Sequence, residues 1–300
     1  MVKRYNQFND FLKEKFGERT LKICIDGGFT CPNRDGTCGV GGCSFCGERG
    51  SGENTRNIDI ASQVKSHLDS YRGKRANKFI AYFQNFTNTY ASPKELKEKY
   101  DSALIDEKIV ALAIATRPDC VNKEVVELLK TYQNKYYVYV ELGLQTANEE
   151  VAKKFNRGYT NENFVSAVKM LNEANIDVVT HIMVGLPYEE QNDVLNTVKF
   201  INKLNIMGVK IHSTYVIKNT KLEQLYYMGK YCPLKLEDYV NKVCEIISHL
   251  KKEVIICRIT GDAPKSILVA PEWNGHKKII LNSINKELEK RNIFQGDNFV

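Results

Sequence analysis

Leu21-Lys-Ile-Cys-Ile25 leads within a few residues into Cys31-Pro-Asn-Arg-Asp-Gly-Thr-Cys-Gly-Val-Gly-Gly-Cys43-Ser-Phe-Cys46. A short apolar run feeds a glycine-rich loop that carries a CxxC pair, with an aromatic just before its second cysteine. Eleven residues separate Cys31 from Cys43. Three thiolates can hold a four-iron cluster and leave one iron without a protein ligand, and an open coordination site is where a metal centre does chemistry. Structural zinc is a competing reading, with Cys38 as the fourth ligand beside Cys31, Cys43 and Cys46. A thioredoxin-like redox CxxC is another, but it opens a helix in a different fold and needs no upstream cysteine. Spacing alone leaves open whether Cys31 or Cys38 completes a three-cysteine set.

Outward from that stretch, apolar runs alternate with helical patterns. Strands are expected at Leu21–Ile25, Lys78–Phe83, Ile109–Ala115, Tyr136–Leu142, Asp177–Val184 and Gly208–Ser213. Helices are expected at Ile58–Tyr71, Pro93–Leu104, Lys123–Tyr132, Asn161–Ala174, Glu189–Leu204 and Leu236–Leu250. Strand and helix repeated in this way imply parallel pairing through crossover helices. Six units give an α/β fold, a partial (β/α)6 TIM-like barrel. A doubly wound open sheet is the other architecture, weakened because no glycine-rich nucleotide fingerprint follows the first strand. The whole chain, 1–300, reads as one domain, with a core barrel at about 18–252 and a short C-terminal extension at about 253–300. That extension is expected to hold one strand from about Val254 and a helix over Lys277–Arg291. Residues Gln295 to Val300 are expected to fray.

Bulk composition agrees with a globular domain: 300 residues, 43% hydrophobic, 26% charged. No long uncharged apolar run implies a membrane span, and the N-terminal residues do not form a signal peptide. Nine cysteines in a chain of this size are expected to be reduced, which places the protein in the cytoplasm. Those outside the three-cysteine set are expected to be small and often buried. The net charge of +7 favours an anionic partner, nucleic acid among the candidates, although solvated lysine on helix faces produces the same balance.

Parallel barrels place catalytic groups at the C-terminal ends of strands. Polar residues fall there in this chain: Cys31, Gln84-Asn85, Thr116-Arg-Pro-Asp119, Glu141 with Gln145, His181 with Gly185, and His212 with Thr214. Their convergence on one face implies a single site. Glu141 stands in an otherwise apolar strand, and a carboxylate there must be paired or ligand-bound. A salt bridge with a neighbour such as Lys210 is the structural alternative. Arg117 and Asp119 can pair with each other. A lone barrel histidine such as His181 or His212 is often only a satisfied core group.

Several segments then converge on one family: Gly28-Phe-Thr-Cys-Pro-Asn-Arg-Asp-Gly36, Phe83-Gln-Asn-Phe-Thr-Asn-Thr-Tyr90, Thr116-Arg-Pro-Asp119, Val140-Glu-Leu-Gly-Leu-Gln145 and Asn156-Arg-Gly-Tyr159. His181-Ile-Met-Val-Gly-Leu-Pro187, Lys210-Ile-His-Ser-Thr-Tyr-Val-Ile-Lys218, Ile259-Thr-Gly-Asp-Ala-Pro264 and Leu268-Val-Ala-Pro-Glu-Trp273 extend the set. Together they resemble the radical S-adenosylmethionine (SAM) superfamily. More closely, they resemble the catalytic subunit of Elongator and its small bacterial relatives.

The resemblance implies a [4Fe-4S] cluster on Cys31, Cys43 and Cys46, with Cys38 outside the set. It implies SAM as the second cofactor, cleaved by one electron to a 5′-deoxyadenosyl radical that abstracts hydrogen. Gln84, Glu141, Gln145, Arg157, His181 and Gly185 are the expected cofactor-binding residues. Among them Arg157 would grip the methionyl carboxylate, and Glu141 the ribose or amino group. Tyr82 and Phe45 would pack near cluster and cofactor, while Trp273 either packs the C-terminal helix or borders a stacking base. An electron donor such as flavodoxin or ferredoxin is implied, with no membrane partner. No residue is assigned as catalytic acid or base. Elongator-type enzymes carry a glutamate where this chain has Ala115, so the ligand contacts made there must fall elsewhere. No acetyltransferase segment is expected, so acetyl transfer is not implied.

The function implied is modification of a tRNA wobble uridine side chain, with carboxymethylaminomethyl remodelled to aminomethyl. The same radical chemistry on a small metabolite or a protein is one alternative. A non-enzymatic metal-binding protein is the other.

Overall fold

Alternation of residue size along β3 (Ile109–Thr116) shows how the sheet is built. Leu112 and Ile114 turn outward into the helix-covered core, and Ala111, Ala113 and Ala115 turn inward. The computed structural model describes residues 2–299 except 51, 53, 54, 56, 57 and 262. β1 (Thr20–Ile25), β2 (Lys78–Phe83), β3, β4 (Tyr137–Gln145), β5 (Asp177–Val184) and β6 (Gly208–Ser213) pair in parallel in chain order. A short antiparallel pair, β7 (Val216–Ile217) with β9 (Leu268–Ala270), stands outside this sheet. β8 (Ile255–Arg258) pairs with β6 as a seventh parallel strand. The six-unit partial barrel is present, and its seventh strand comes from the C-terminal part of the chain.

Helices cover the outer face. After α1 (Phe8–Phe16), they are α2 (Ile60–Asp69), α3 (Pro93–Asp101), α4 (Lys123–Gln133) and α5 (Glu149–Lys154). α6 (Asn161–Glu173), α7 (Asp193–Asn202), α8 (Lys221–Tyr227), α9 (Leu236–His249) and α10 (Lys277–Lys290) follow. Local signals start several of them. Ser92 caps α3 with Pro93 in the first turn, Asn122 caps α4, and Thr160 with Asn163 forms a capping box on α6. Their apolar stripes bury Leu96, Leu129, Leu171, Val198 and Ile247 against the outward residues of the sheet, each worth about 1.5–3 kcal/mol.

α1 packs differently. Phe8 and Leu12 enter the barrel and meet Ile80, Tyr139 and Val179, so the helix plugs the lumen from the N-terminal side of the strands. Just before it, Gln7 forms a parallel bridge to Ile256 of the edge strand β8.

Three differences from the sequence expectations have physical causes. β4 runs to Gln145 rather than Leu142, through a register shift against β5 at Gly143/Gln145 that apolar alternation does not reveal. α7 begins at Asp193 because the preceding turn needs left-handed backbone at Gly185 and Tyr188. The chain end is tied down rather than frayed. Gln295 is buried and its side-chain amide donates to the carbonyls of Lys251 and Val254 at 2.6 and 2.7 Å, while Asn298 N–H reaches Ser248 O. Val300 and Asp262 lie outside the described residues.

The nine cysteines form no disulfide, but only Cys244 is buried, contrary to the expectation that the scattered cysteines are mostly interior. Trp273 packs at 5.2 Å from Tyr239 and donates its indole N–H to Leu234 O, so packing is its role here. No described helix is long and apolar enough to cross a membrane.

Candidate functional site

The cysteine loop follows β1 and lies across the C-terminal ends of the strands. Backbone turns shape it: Arg34 and Asp35 N–H donate to Cys31 O, and Cys46 N–H to Cys43 O. Asn33, almost fully buried, fastens it to the segment after α5. Its amide donates to Asn156 O at 2.6 Å, and Asn156 returns a bond to Gly42 O at 2.9 Å. Ser44 N–H reaches Phe155 O, Leu222 N–H reaches Ser44 O, and Phe45 packs 5.4 Å from Phe155. Gly42 has φ 73, and a Cβ there would meet the Arg34 side chain at 2.9 Å.

Cys31, Cys43 and Cys46 share one neighbourhood. Burial pushes the Cys43 thiol up to about 12, and the Cys46 and Cys31 charges add to that rise. Three thiolates gathered there call for bound positive charge. Among the described residues, no three His, Cys, Asp or Glu side chains converge closely enough to chelate a single ion. Cluster ligands each bind a different iron and need not converge, so the donor set suits a cluster better than a mononuclear zinc site. Cys38 is exposed.

Beneath the loop, inward positions bring charged residues together across the barrel. Glu141 on β4 is 1% exposed. Its Oε1 accepts from Lys22 of β1 at 2.9 Å, and its Oε2 accepts from Tyr82 OH at 2.7 Å, from His181 Nε2 at 2.9 Å and from Lys210. Burial alone would raise this carboxyl, but Lys210 and Lys22 hold it well below the carboxylate range. Burial and Lys210 push His181 down to about 4, so it meets Glu141 as a neutral Nε2–H donor. Burial lowers Lys210 to about 7 against the pull of Glu141, with Lys22 and Arg258 adding to the fall. Burial also opposes the charge on Lys22, but Glu141 outweighs it and holds that ammonium charged. The ring faces of Phe8, Tyr82 and Tyr139 stand 4.7–5.4 Å from its Nζ. Glu141 is thus the hub of an ion cluster, the structural alternative that the sequence left open, and both its oxygens are occupied.

Arg157 also differs from its expected role. It is 1% exposed, and its guanidinium donates to the carbonyls of Tyr159, Leu144 and Thr146 and to Asn161 Oδ1. Four donors are held by the loop around β4, so it clamps that loop instead of offering a fork to a carboxylate. Arg117 pairs bidentately with Asp119 at 3.0 and 2.7 Å, and also holds Arg157 O. Gln145, at φ 61, accepts from Tyr159 OH and stays half-buried at the mouth. Gly185 is held by Glu189 Oε2 and by Tyr231 OH. Gln84 and His181 are half-buried on the inner wall. His212 lies 5.2 Å from His181, ring to ring.

Sequence reasoning missed Lys22 and Asn33. The one available signal for Lys22 was a lysine between the apolar neighbours Leu21 and Ile23, an inward position on a buried strand. Asn33 had no signal, since its partners come from residues 156–157. A groove of about 750 Å³ lies elsewhere, between the start of the chain and residues 252–297, and none of the candidate residues lines it.

A radical SAM superfamily model matches residues 31–201, and a radical SAM C-terminal domain model matches residues 206–290. The chain belongs to the radical SAM superfamily. It is 41% identical over 300 residues to the uncharacterised protein YtqA of Bacillus subtilis, covering 99% of this chain and 93% of YtqA. Over 193 residues it is 31% identical to the tRNA uridine(34) acetyltransferase of Methanocaldococcus jannaschii, covering 63% of this chain but 34% of that protein. Its fold is similar to that of Methanocaldococcus infernus Elp3 with residues 1–46 deleted, with a TM-score of 0.71 at 19% identity over 92% of this chain and 64% of that one. Radical SAM membership implies a [4Fe-4S] cluster and SAM, and the three-thiol loop fits that cluster.

Proposed function

We propose that this radical SAM enzyme holds its cluster on Cys31, Cys43 and Cys46 and acts on the side chain of a tRNA wobble uridine, converting carboxymethylaminomethyl to aminomethyl. The observation that carries the tRNA assignment is the similarity to a tRNA uridine(34) acetyltransferase over 193 residues of this chain. The net charge of +7 supports an anionic partner.

Cys31, Cys43 and Cys46 would hold the cluster, which when bound would supply one-electron reduction of SAM and so the radical chemistry of hydrogen abstraction. The chain's own residues set the stage for that step. Asn33, Asn156 and Arg34 fix the cysteine loop over the barrel mouth. Gln84, Gln145 and His181 present polar groups on the inner wall where SAM would lie. Glu189 and Tyr231 hold the Gly185 turn in place as its rim. α1 closes the other end, so substrate and water enter from the cluster side. An electron donor such as flavodoxin or ferredoxin completes the reaction, in the cytoplasm.

Mass analysis of tRNA nucleosides from cells with and without the gene tests this reading. Cells lacking the gene are expected to accumulate the carboxymethylaminomethyl nucleoside and to lose those derived from the aminomethyl one. Identical profiles, together with 5′-deoxyadenosine release driven by a small metabolite, would place the substrate outside RNA.

A further inference from the structure

Two ammonium groups share one carboxylate inside the barrel. Lys22 and Lys210 both contact Glu141, while its remaining partners, His181 and Tyr82, are neutral donors. Two other carboxylates on these strands have partners of their own: Asp26 pairs with Arg49 at 3.2 Å, and Asp177 accepts from Tyr137 OH. Glu141 balances one of the two, and burial lowers the other, Lys210, to about 7, so a second anion in the lumen would hold that lysine charged. A purely structural pair would need one lysine.

The space above this layer can receive that anion. The inner face is built from small residues there: Ala115 on β3 stands level with Glu141, and Gly143 on β4 lies just beyond it. Cys24, two residues beyond Lys22 on the same face of β1, is exposed, so solvent reaches the layer. Lys22 and His181 each keep 21% of their side chains accessible. His212, beside His181, has an Nε2 that is buried without a hydrogen-bond partner.

We infer that the lumen above Glu141 is a receiving site for a small carboxylate carried by the substrate, held by Lys22 in the field of Lys210, with His212 as a further contact. The inference rests on the reading of the lumen as the substrate chamber and names the charge that chamber takes. The carboxymethyl group of the proposed substituent is a carboxylate of this kind.

Acetate is the probe, titrated into cluster-loaded, unreduced protein saturated with SAM and followed by saturation-transfer NMR of its methyl group. Wild-type protein is expected to bind it. Lys22→Met and Lys210→Met are each expected to weaken binding at least tenfold, and Glu141→Gln, which removes the resident anion, to tighten it. If Glu141→Gln fails to fold, the two lysine variants decide alone, because each leaves a one-to-one ion pair. Absence of wild-type binding overturns the inference, and so does binding indifferent to both lysines. Binding that appears only when SAM is left out overturns it too, since the cations would then serve the cofactor's own carboxylate. The measurement uses neither RNA nor turnover, so an unchanged nucleoside profile would refute the tRNA reading without touching this result.

Discussion

Lys22 on β1 and Glu141 on β4 meet across the barrel at 2.9 Å. Their strands are not neighbours in the sheet, which runs β1-β2-β3-β4. The contact exists only because the sheet curls, and it ties the curl together through the lumen. Lys210 reaches the same carboxylate from β6. With Tyr82 of β2 and His181 of β5, four other strands are thus tied to one side chain.

Removing the hub should cost more than removing a spoke. Glu141→Gln leaves Lys22 charged without its partner and drives buried Lys210 to the neutral form, and a loss of about 3–5 kcal/mol is expected. Lys210→Met leaves a single balanced pair and should cost less. Urea midpoints of the two variants check the order, and equal losses would show that the carboxylate is not shared in this way.

Cluster loading should separate the cysteines. Anaerobic reconstitution with iron and sulfide is expected to fail for Cys31→Ser, Cys43→Ser and Cys46→Ser and to succeed for Cys38→Ser. Iron and sulfide analysis with visible absorption reads this directly. Zinc retained in place of iron, and lost on replacing Cys38, would favour the four-thiol zinc site instead.

Arg157 distinguishes a clamp from a ligand. Its guanidinium holds three backbone carbonyls and Asn161, so Arg157→Lys should destabilise the fold by about 3 kcal/mol. Thermal unfolding of the protein without SAM measures that loss. Unchanged stability with a large rise in the SAM dissociation constant would instead make it the carboxylate grip expected from the sequence.

Glu189 gives the stability a pH dependence of known sign. Burial raises its carboxyl from 4.5 to about 7, against the Gly185 N–H that favours the charged form. The folded state therefore holds this proton more tightly than the unfolded state. The contribution is complete below pH 4.5 and is lost as pH rises through about 7, on the order of 1–3 kcal/mol. Urea midpoints at about pH 5 and about pH 8 should fall less in Glu189→Gln than in the wild type; parallel profiles would refute the shift.

Much of the fold was legible because buried parallel strands are continuous apolar runs and their crossover helices are amphipathic. β2, β5 and β6 have the bounds that pattern gives. α1 was not legible as a plug. Its Phe8 and Leu12 pattern gives an amphipathic helix, but nothing local says that its apolar face enters a barrel. Two polar residues read as cofactor contacts show the same limit. Arg157 and Glu141 carry the right groups, yet their partners lie at residues 144–161 and on strands β1, β2, β5 and β6, and those partners take up most of their bonding capacity. Gly185, expected among the cofactor-binding residues, sits in a turn that Glu189 and Tyr231 hold.

The sequence alone pointed to the kind of chemistry, because the cysteine loop and the segments that share the family's pattern are local properties of consecutive residues. It also determined the parallel α/β architecture, because hydrophobic period is local as well. Only the tertiary structure decided which charges meet inside the lumen. Lys22, Glu141 and Lys210 lie far apart in the chain and stand on strands that do not pair with one another. Their meeting depends on the radius and curl of the sheet, which no single segment encodes.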